Sequence, residues 1–160
     1  MSKPMTDEDF MREAIVLSRE NMDAGKGGPF GAVIVRDGTV IGRGANNVTS
    51  ANDPTAHAEI VAIRNACCHI GDFNLKGSAI YTSCEPCPMC LSAIYWARID
   101  RIFYANTQHD AAHINFDDAF LYEQISLNMD HRSIPAMPLL REEALPVFAA
   151  WQEKEDKTPY

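Results

Sequence analysis

Apolar positions along the chain recur with two periods, one helical and one extended. Over residues 7–23, Phe10, Ala14 and Leu17 recur at helical spacing, as do Met11, Ile15 and Met22. Thr6 stands ahead of them as an N-cap, and Asp7, Glu8 and Asp9 complement the positive end of the helix dipole. GKGGPFG then breaks the pattern as a loop. GAVIVRDG and TVIGRGAN follow as β-rich runs around Asp37-Gly38, a pair that predicts a hairpin. A polar loop, NNVTSANDPT, leads into a helix over residues 57–69, with Ile60, Ile63 and Cys67 on one face and Val61 and Cys68 beside it. SAIYTS reads as a short strand, PCPMCLSAIYWA as a helix opened by prolines, and RIFYAN as a further strand. DDAFLYEQI reads as helical, residues 127–138 with Pro135 and Pro138 as loop, and residues 141–154 as a C-terminal helix. A hairpin followed by alternating helices and strands predicts the α/β class, with a mixed sheet covered by helices on both faces. No repeat, linker or low-complexity segment interrupts the 160 residues, so 1–160 is read as a single domain.

Composition narrows the function classes. Hydrophobic residues make up 46% of the chain and charged residues 22%, an ordinary balance for a soluble globular protein. No apolar run approaches the roughly 18 residues of a membrane span, and the polar start MSKPMTDEDF lacks a signal-peptide pattern. A cytoplasmic protein with no membrane partner is expected. Five cysteines, with Cys67 and Cys68 adjacent, fit reduced thiols better than a disulfide framework. The net charge of −8, with no Lys/Arg run, argues against nucleic acid as partner and favours a small-molecule substrate.

The chemistry concentrates in TSCEPCPMC, where Cys84, Cys87 and Cys90 are evenly spaced. A bacterial iron–sulfur run would continue with a cysteine and a proline where this chain has Ile94 and Tyr95. Redox use of one Cys-x-x-Cys gains no support from Pro88 and Met89. Zinc takes Cys and His, and a catalytic zinc keeps three protein ligands and one open position. Of His57, His69, His109, His113 and His131, His57 stands out because it sits in PTAHAE with Glu59 two residues on. H-x-E followed by P-C-x-x-C matches the zinc deaminase signature. The interval between His57 and Cys87 holds one helix, a loop and one strand, which returns the second helix start to the side of the first. Residues two apart on a helix flank point away from each other, so His57 and Glu59 serve one site only over a helix end. Pro54 and Thr55 place them in a first turn, and Pro86 and Pro88 do the same for Cys87 and Cys90. Two positive helix ends favour thiolates. His109 and His113 have the spacing of a metal pair but no carboxylate motif beside them. Cys84 reads as a structural thiol at a strand end, and Cys67 and Cys68 as buried helix residues. Tyr95, Phe103 and Phe148 read as core.

PTAHAEIVAIR and TSCEPCPMCLSAIYWA resemble the cytidine-deaminase-like superfamily and, within it, the bacterial guanine deaminases. The resemblance runs from GGPFGAVIV through NNVTSANDPTAHAE and NFDDAF to the terminal tyrosine. It implies a three-layer α/β/α sandwich with a mixed five-stranded sheet. It also implies a homodimer whose C-terminal segments can be exchanged. By position, it implies one Zn2+ per chain, with a catalytic water, held by His57, Cys87 and Cys90, and Glu59 as general acid/base. It further implies a purine pocket. Asn46 recognises the base by amide hydrogen bonds, Phe30 and Trp96 are aromatic walls, and Ala58 lies beside the base. Phe116 and Asp118 form the guanine-specific wall and carboxylate, and Tyr160 closes over the site. Ser92 departs from the family, which often has glycine there. The implied reaction is hydrolytic deamination of guanine to xanthine and ammonia, with Asp118 assisting proton transfer. A carboxylate suits guanine because it accepts the N–H groups at N1 and the 2-amino position. Asp117 reads instead as a cap for the following helix. Three alternatives stand beside this reading: a tRNA adenosine deaminase, a cytosine or cytidine deaminase, and a non-catalytic zinc module. The last has no use for Glu59.

Overall fold

Thr6 and Asp9 begin the fold with a reciprocal capping box. The Asp9 amide donates to the Thr6 hydroxyl at 3.3 Å, and the Thr6 amide donates to the Asp9 carboxylate at 3.0 Å. Helix α1 (Asp7–Asp23) follows, burying Phe10, Ala14 and Asn21. The structure, a computed structural model, describes residues 4–160, which form two compact units divided between Ala119 and Phe120.

In the first unit, strands β1 (Gly31–Arg36) and β2 (Thr39–Ala45) form the expected hairpin. Asp37 and Gly38 both have positive φ, 50° and 72°, as the tight turns favoured by Asp-Gly require. Then come α2 (Val48–Ala51), α3 (Ala58–Ile70), β3 (Ser78–Cys84), α4 (Pro88–Trp96), β4 (Arg101–Asn106) and α5 (Gln108–His113). The sheet order is β2-β1-β3-β4, with β1 antiparallel to both neighbours and β3 parallel to β4. Side chains alternate across this sheet. Val33, Val35, Ala79 and Tyr81 pack with Phe10 and Ala14 of α1. Ala32, Ile34 and Ile80 point the other way and pack with Ala58, Ala62 and Ala66 of α3 and Ile94 of α4. Helices therefore cover both faces, as the alternation predicts.

Among the described residues the sheet has four strands, not the five that the resemblance implies. From the second residue of α6 (Ala119–Ser126) onward, the second unit holds that helix, a 3-10 turn at Met129–His131 and α7 (Arg141–Glu153), and no strand among the described residues. Pro135 and Pro138 lie in the connecting segment and cannot donate to a ladder. Other expectations shift by helical phase. Ile94 is buried on α4, so Tyr95, about 100° further round, is 73% exposed rather than core. Cys68 is likewise exposed on α3, beside half-buried Cys67, and Phe148 is 74% exposed on α7. Phe103 does join a core, stacking on Tyr81 with ring centroids 4.7 Å apart.

One close approach positions the helix that carries His57 and Glu59. A Cβ on Gly44 would lie 2.1 Å from the Ala58 carbonyl oxygen and 2.4 Å from the Ala62 nitrogen. Only glycine lets β2 meet the first turns of α3 backbone to backbone. Gly44→Ala is therefore expected to destabilise the protein by about 1–3 kcal/mol. Urea unfolding should show a lower midpoint at unchanged slope. An unchanged midpoint would contradict this packing.

Candidate active site

His57 and Cys87 occupy equivalent positions. Each is the N-cap of its helix, α3 or α4, with extended backbone (φ −67°, ψ 158° and φ −66°, ψ 168°), and neither side chain caps its own helix. Ser, Thr, Asp or Asn would normally satisfy the helix there. These two side chains turn toward each other instead. Cys87 Sγ lies 3.6 Å and Cys90 Sγ 3.5 Å from His57 Nδ1, and all three donor atoms fall within 4.8 Å of one another. Zinc–nitrogen and zinc–sulfur bonds of about 2.0 and 2.3 Å at tetrahedral angles place N and S about 3.5–3.6 Å apart. The spacing and the donor set therefore fit zinc.

The protonation pattern is that of a tightly coupled thiol pair beside an imidazole. The Cys87 thiol is pulled down to about 4 by its hydrogen bond with Cys90, with His57 adding to the effect against the cost of burial. The same bond to Cys87, with burial, pushes Cys90 strongly up. His57 is raised, first by its bond to Cys87. Cys84 is set apart from this pair. Its thiol donates to the Thr107 carbonyl at 3.6 Å, and burial, reinforced by the charges of Glu59 and Asp118, raises it to about 11. It stays a neutral thiol at a strand end, as its position predicts.

Glu59 follows His57 in the first turn of α3 and is 7% exposed. Thr82 donates its hydroxyl to Glu59 Oε1 at 3.1 Å. Burial raises the carboxyl's pKa. Among the described residues, the group able to hold a metal contains His57, Cys87 and Cys90 and excludes Glu59. A carboxyl beside a metal group but outside it, with its proton affinity raised, is suited to acid–base transfer.

Asn46 is also buried, at 7% exposure. Its Oδ1 accepts the backbone amides of Gly28 and Val48, both at 3.3 Å, and Asn21 Nδ2 donates to its carbonyl at 2.9 Å. That commits Oδ1 and leaves Nδ2 as the group free to donate. Phe30 and Phe116 meet edge to face with centroids 4.9 Å apart. Asp118 is half-buried, and its carboxyl is raised first by burial and then by the Cys87 thiolate, which places it within electrostatic reach of the metal group. Asp117 accepts the Ala119 amide at 2.8 Å, the capping role expected of it.

Other predicted residues stand differently. The Ala58 side chain is fully buried in the core, so only its backbone can face a ligand. Trp96 and Tyr160 are 65% and 74% exposed. His113 Nδ1 pairs with the His109 carbonyl at 2.7 Å on α5, apart from the metal group. Three supporting residues escape the sequence reading: Thr82, which holds Glu59; Asn21, which anchors Asn46; and Glu85, which bonds the start of α5. Helix α5 itself carried a readable signal, since Thr107-x-x-Asp110 repeats the capping box of Thr6-x-x-Asp9.

The separation of the sulfurs makes a direct prediction. Cys87→Ser should lose its zinc on dialysis, while Cys84→Ser retains it, as counted by metal analysis of the purified proteins. Equal zinc in both variants would contradict the assignment.

Residues 4–106 match the family described as the cytidine and deoxycytidylate deaminase zinc-binding region. The chain is 51% identical over 156 residues to the guanine deaminase of Bacillus subtilis, spanning 98% of this chain and 100% of that one. The solved structure of that protein has a TM-score of 0.95, covering 98% of this chain and 99% of that chain. The tRNA-specific adenosine deaminase of Agrobacterium fabrum is 46% identical over 95 residues, 59% of this chain and 62% of its own length. A solved structure in complex with 8-azaguanine is 32% identical, spanning 72% of this chain and 67% of that one, with a TM-score of 0.69. Having matched that region over these residues, with a zinc-competent triad at the helix starts, the chain belongs to the cytidine and deoxycytidylate deaminase zinc-binding family.

Proposed function

We propose that the protein hydrolyses guanine to xanthine and ammonia, with zinc held by His57, Cys87 and Cys90. One observation carries the reading. Glu59 is buried beside a three-ligand group and does not belong to it, the layout of a catalytic rather than a structural zinc site. A zinc ion held by these three residues would supply hydroxide at neutral pH, since zinc can lower the pKa of a bound water to about 7. Glu59 takes one proton from the attacking water and passes it to a ring nitrogen; it then takes the second, from the hydroxyl that the water has become on the base, and delivers it to the departing amine.

Guanine as the base is supported by the 51% identical relative that carries that name and by Asp118. An ionised carboxylate only accepts hydrogen bonds, and guanine offers it the N1 and 2-amino N–H groups. A base without the 2-amino group leaves part of that carboxylate unpaired, a strong basis for discrimination. Asp118 also stands close enough to the Cys87 thiolate to feel its charge, consistent with help in proton transfer. Asn46 Nδ2 donates to the base, Phe30 and Phe116 wall it, and the backbone at Ala58 lies beside it. A tRNA substrate suits the chain less, because the net charge of −8 opposes a polyanion.

The assembly belongs to the same proposal. The C-terminal unit exposes Met137 and Leu139, both at 84%, with Phe148 at 74% and Trp151 at 45%. So much apolar surface in one short segment favours a partner. A cytoplasmic homodimer that exchanges its C-terminal segments would cover it, with Trp96 and Tyr160 completing the purine site. Within it, residues 1–160 serve as one catalytic domain.

Two variants test the chemistry. Glu59→Gln should keep its zinc and lose about 10²-fold or more in guanine turnover. Asp118→Ala should also keep its zinc and lose guanine turnover by about 10²-fold or more. Wild-type rates in Glu59→Gln would remove it as acid/base, and normal guanine kinetics in Asp118→Ala would reduce that residue to a helix cap.

A further inference from the structure

The segment that carries Phe116 and Asp118 is tied to the metal-ligand loop by three hydrogen bonds. β3 and β4 run parallel, with Cys84 in register with Asn106. Just past that register, the Glu85 amide donates to the Asn106 carbonyl at 2.8 Å and the Cys84 thiol donates to the Thr107 carbonyl at 3.6 Å. The third bond uses a side chain. The Gln108 amide donates to Glu85 Oε2 at 2.9 Å.

That bond solves a local problem of α5. The first amides of a helix have no partner within it. At α5, the Thr107 amide is taken by the Asp110 carboxylate at 2.8 Å, and the Asp110 amide by the Thr107 hydroxyl at 3.3 Å. The Gln108 amide finds its acceptor on a different element, at Glu85. The far end of α5 is equally defined. Asn115 adopts φ 68°, a left-handed conformation that asparagine tolerates, and the Phe116 amide returns to the Ala111 carbonyl at 3.0 Å. The chain thereby reverses and sets Phe116 against Phe30. Ala111, in the middle of the strut, is buried at 8% exposure.

We infer that Glu85 is a positioning residue for the substrate: by holding the start of α5 it sets where Phe116 and Asp118 stand relative to the metal ligands. The inference rests on the reading that Phe116 and Asp118 meet the base. Glu85 itself need not touch the substrate. What matters is an acceptor oxygen at its side-chain end, which glutamine also provides and alanine does not.

The test compares Glu85→Ala and Glu85→Gln with the wild-type protein in three measurements: zinc count, amide hydrogen exchange over residues 107–118, and guanine kinetics. In Glu85→Ala, exchange at Gln108 and along α5 should quicken. KM for guanine should rise about tenfold, more than kcat falls, with zinc retained. Glu85→Gln should restore both exchange and KM. Unchanged exchange or unchanged KM in Glu85→Ala overturns the inference. So does loss of zinc, which would assign Glu85 to the metal loop, or equal damage in Glu85→Gln, which would assign the effect to charge. A wild-type enzyme inactive on guanine would sink the substrate reading instead, while the exchange measurement still judges the tether on its own.

Discussion

The meeting of His57 Nδ1 with the Cys87 and Cys90 sulfurs is the contact on which the rest of the site depends. It requires two helix starts, α3 and α4, to arrive at one point, although the residues concerned are 30 and 33 positions apart. The sheet makes this possible. Both helices pack on the face formed by Ala32, Ile34 and Ile80, through Ala58, Ala62 and Ala66 on one and Ile94 on the other. Small residues along α3, and Gly44 opposite its first turn, keep that helix close to the hairpin. Both N-cap positions then give up ordinary capping and direct their side chains at a shared point. Local helix stability yields there to the geometry of a metal group.

The electrostatics follow from that sacrifice. The Cys87 thiolate is favoured first by its bond with Cys90 and then by His57, beside two helix starts whose partial positive charge acts in the same direction. Glu59 sits in the first turn of α3, where burial rather than charge dominates its proton affinity. Burial keeps the Cys84 thiol neutral, and the charges of Glu59 and Asp118 reinforce it. Sulfurs that look equivalent in the sequence are thereby divided between a metal group and the strand end.

The parts legible in the sequence were those in which spacing and residue type coincide locally. The His57/Glu59 and Cys87/Cys90 pairs each lie within one helical turn, with prolines marking the starts, so their convergence follows from the order of the elements. The hairpin was legible because Asp37-Gly38 demands a turn. Tyr95 and Cys68 were misplaced because apolar character does not report helical phase at a single position. The fifth strand came with the resemblance and not from any apolar run. Glu85 was illegible for a different reason: its role is a bond to Gln108, 23 residues away, and no local pattern encodes such a contact. The exposure of Trp96 and Tyr160 was equally hidden, since no local pattern around either residue reports it.

The central claim is that the three-ligand group and Glu59 form one zinc-dependent site acting on guanine. The most direct measurement is a zinc titration of the metal-stripped protein, with xanthine formation and bound metal followed in the same samples. The account predicts no turnover without metal and activity that rises in proportion to zinc until one ion is bound per chain. Guanine turnover in the fully stripped protein, or none at one zinc per chain, would contradict it.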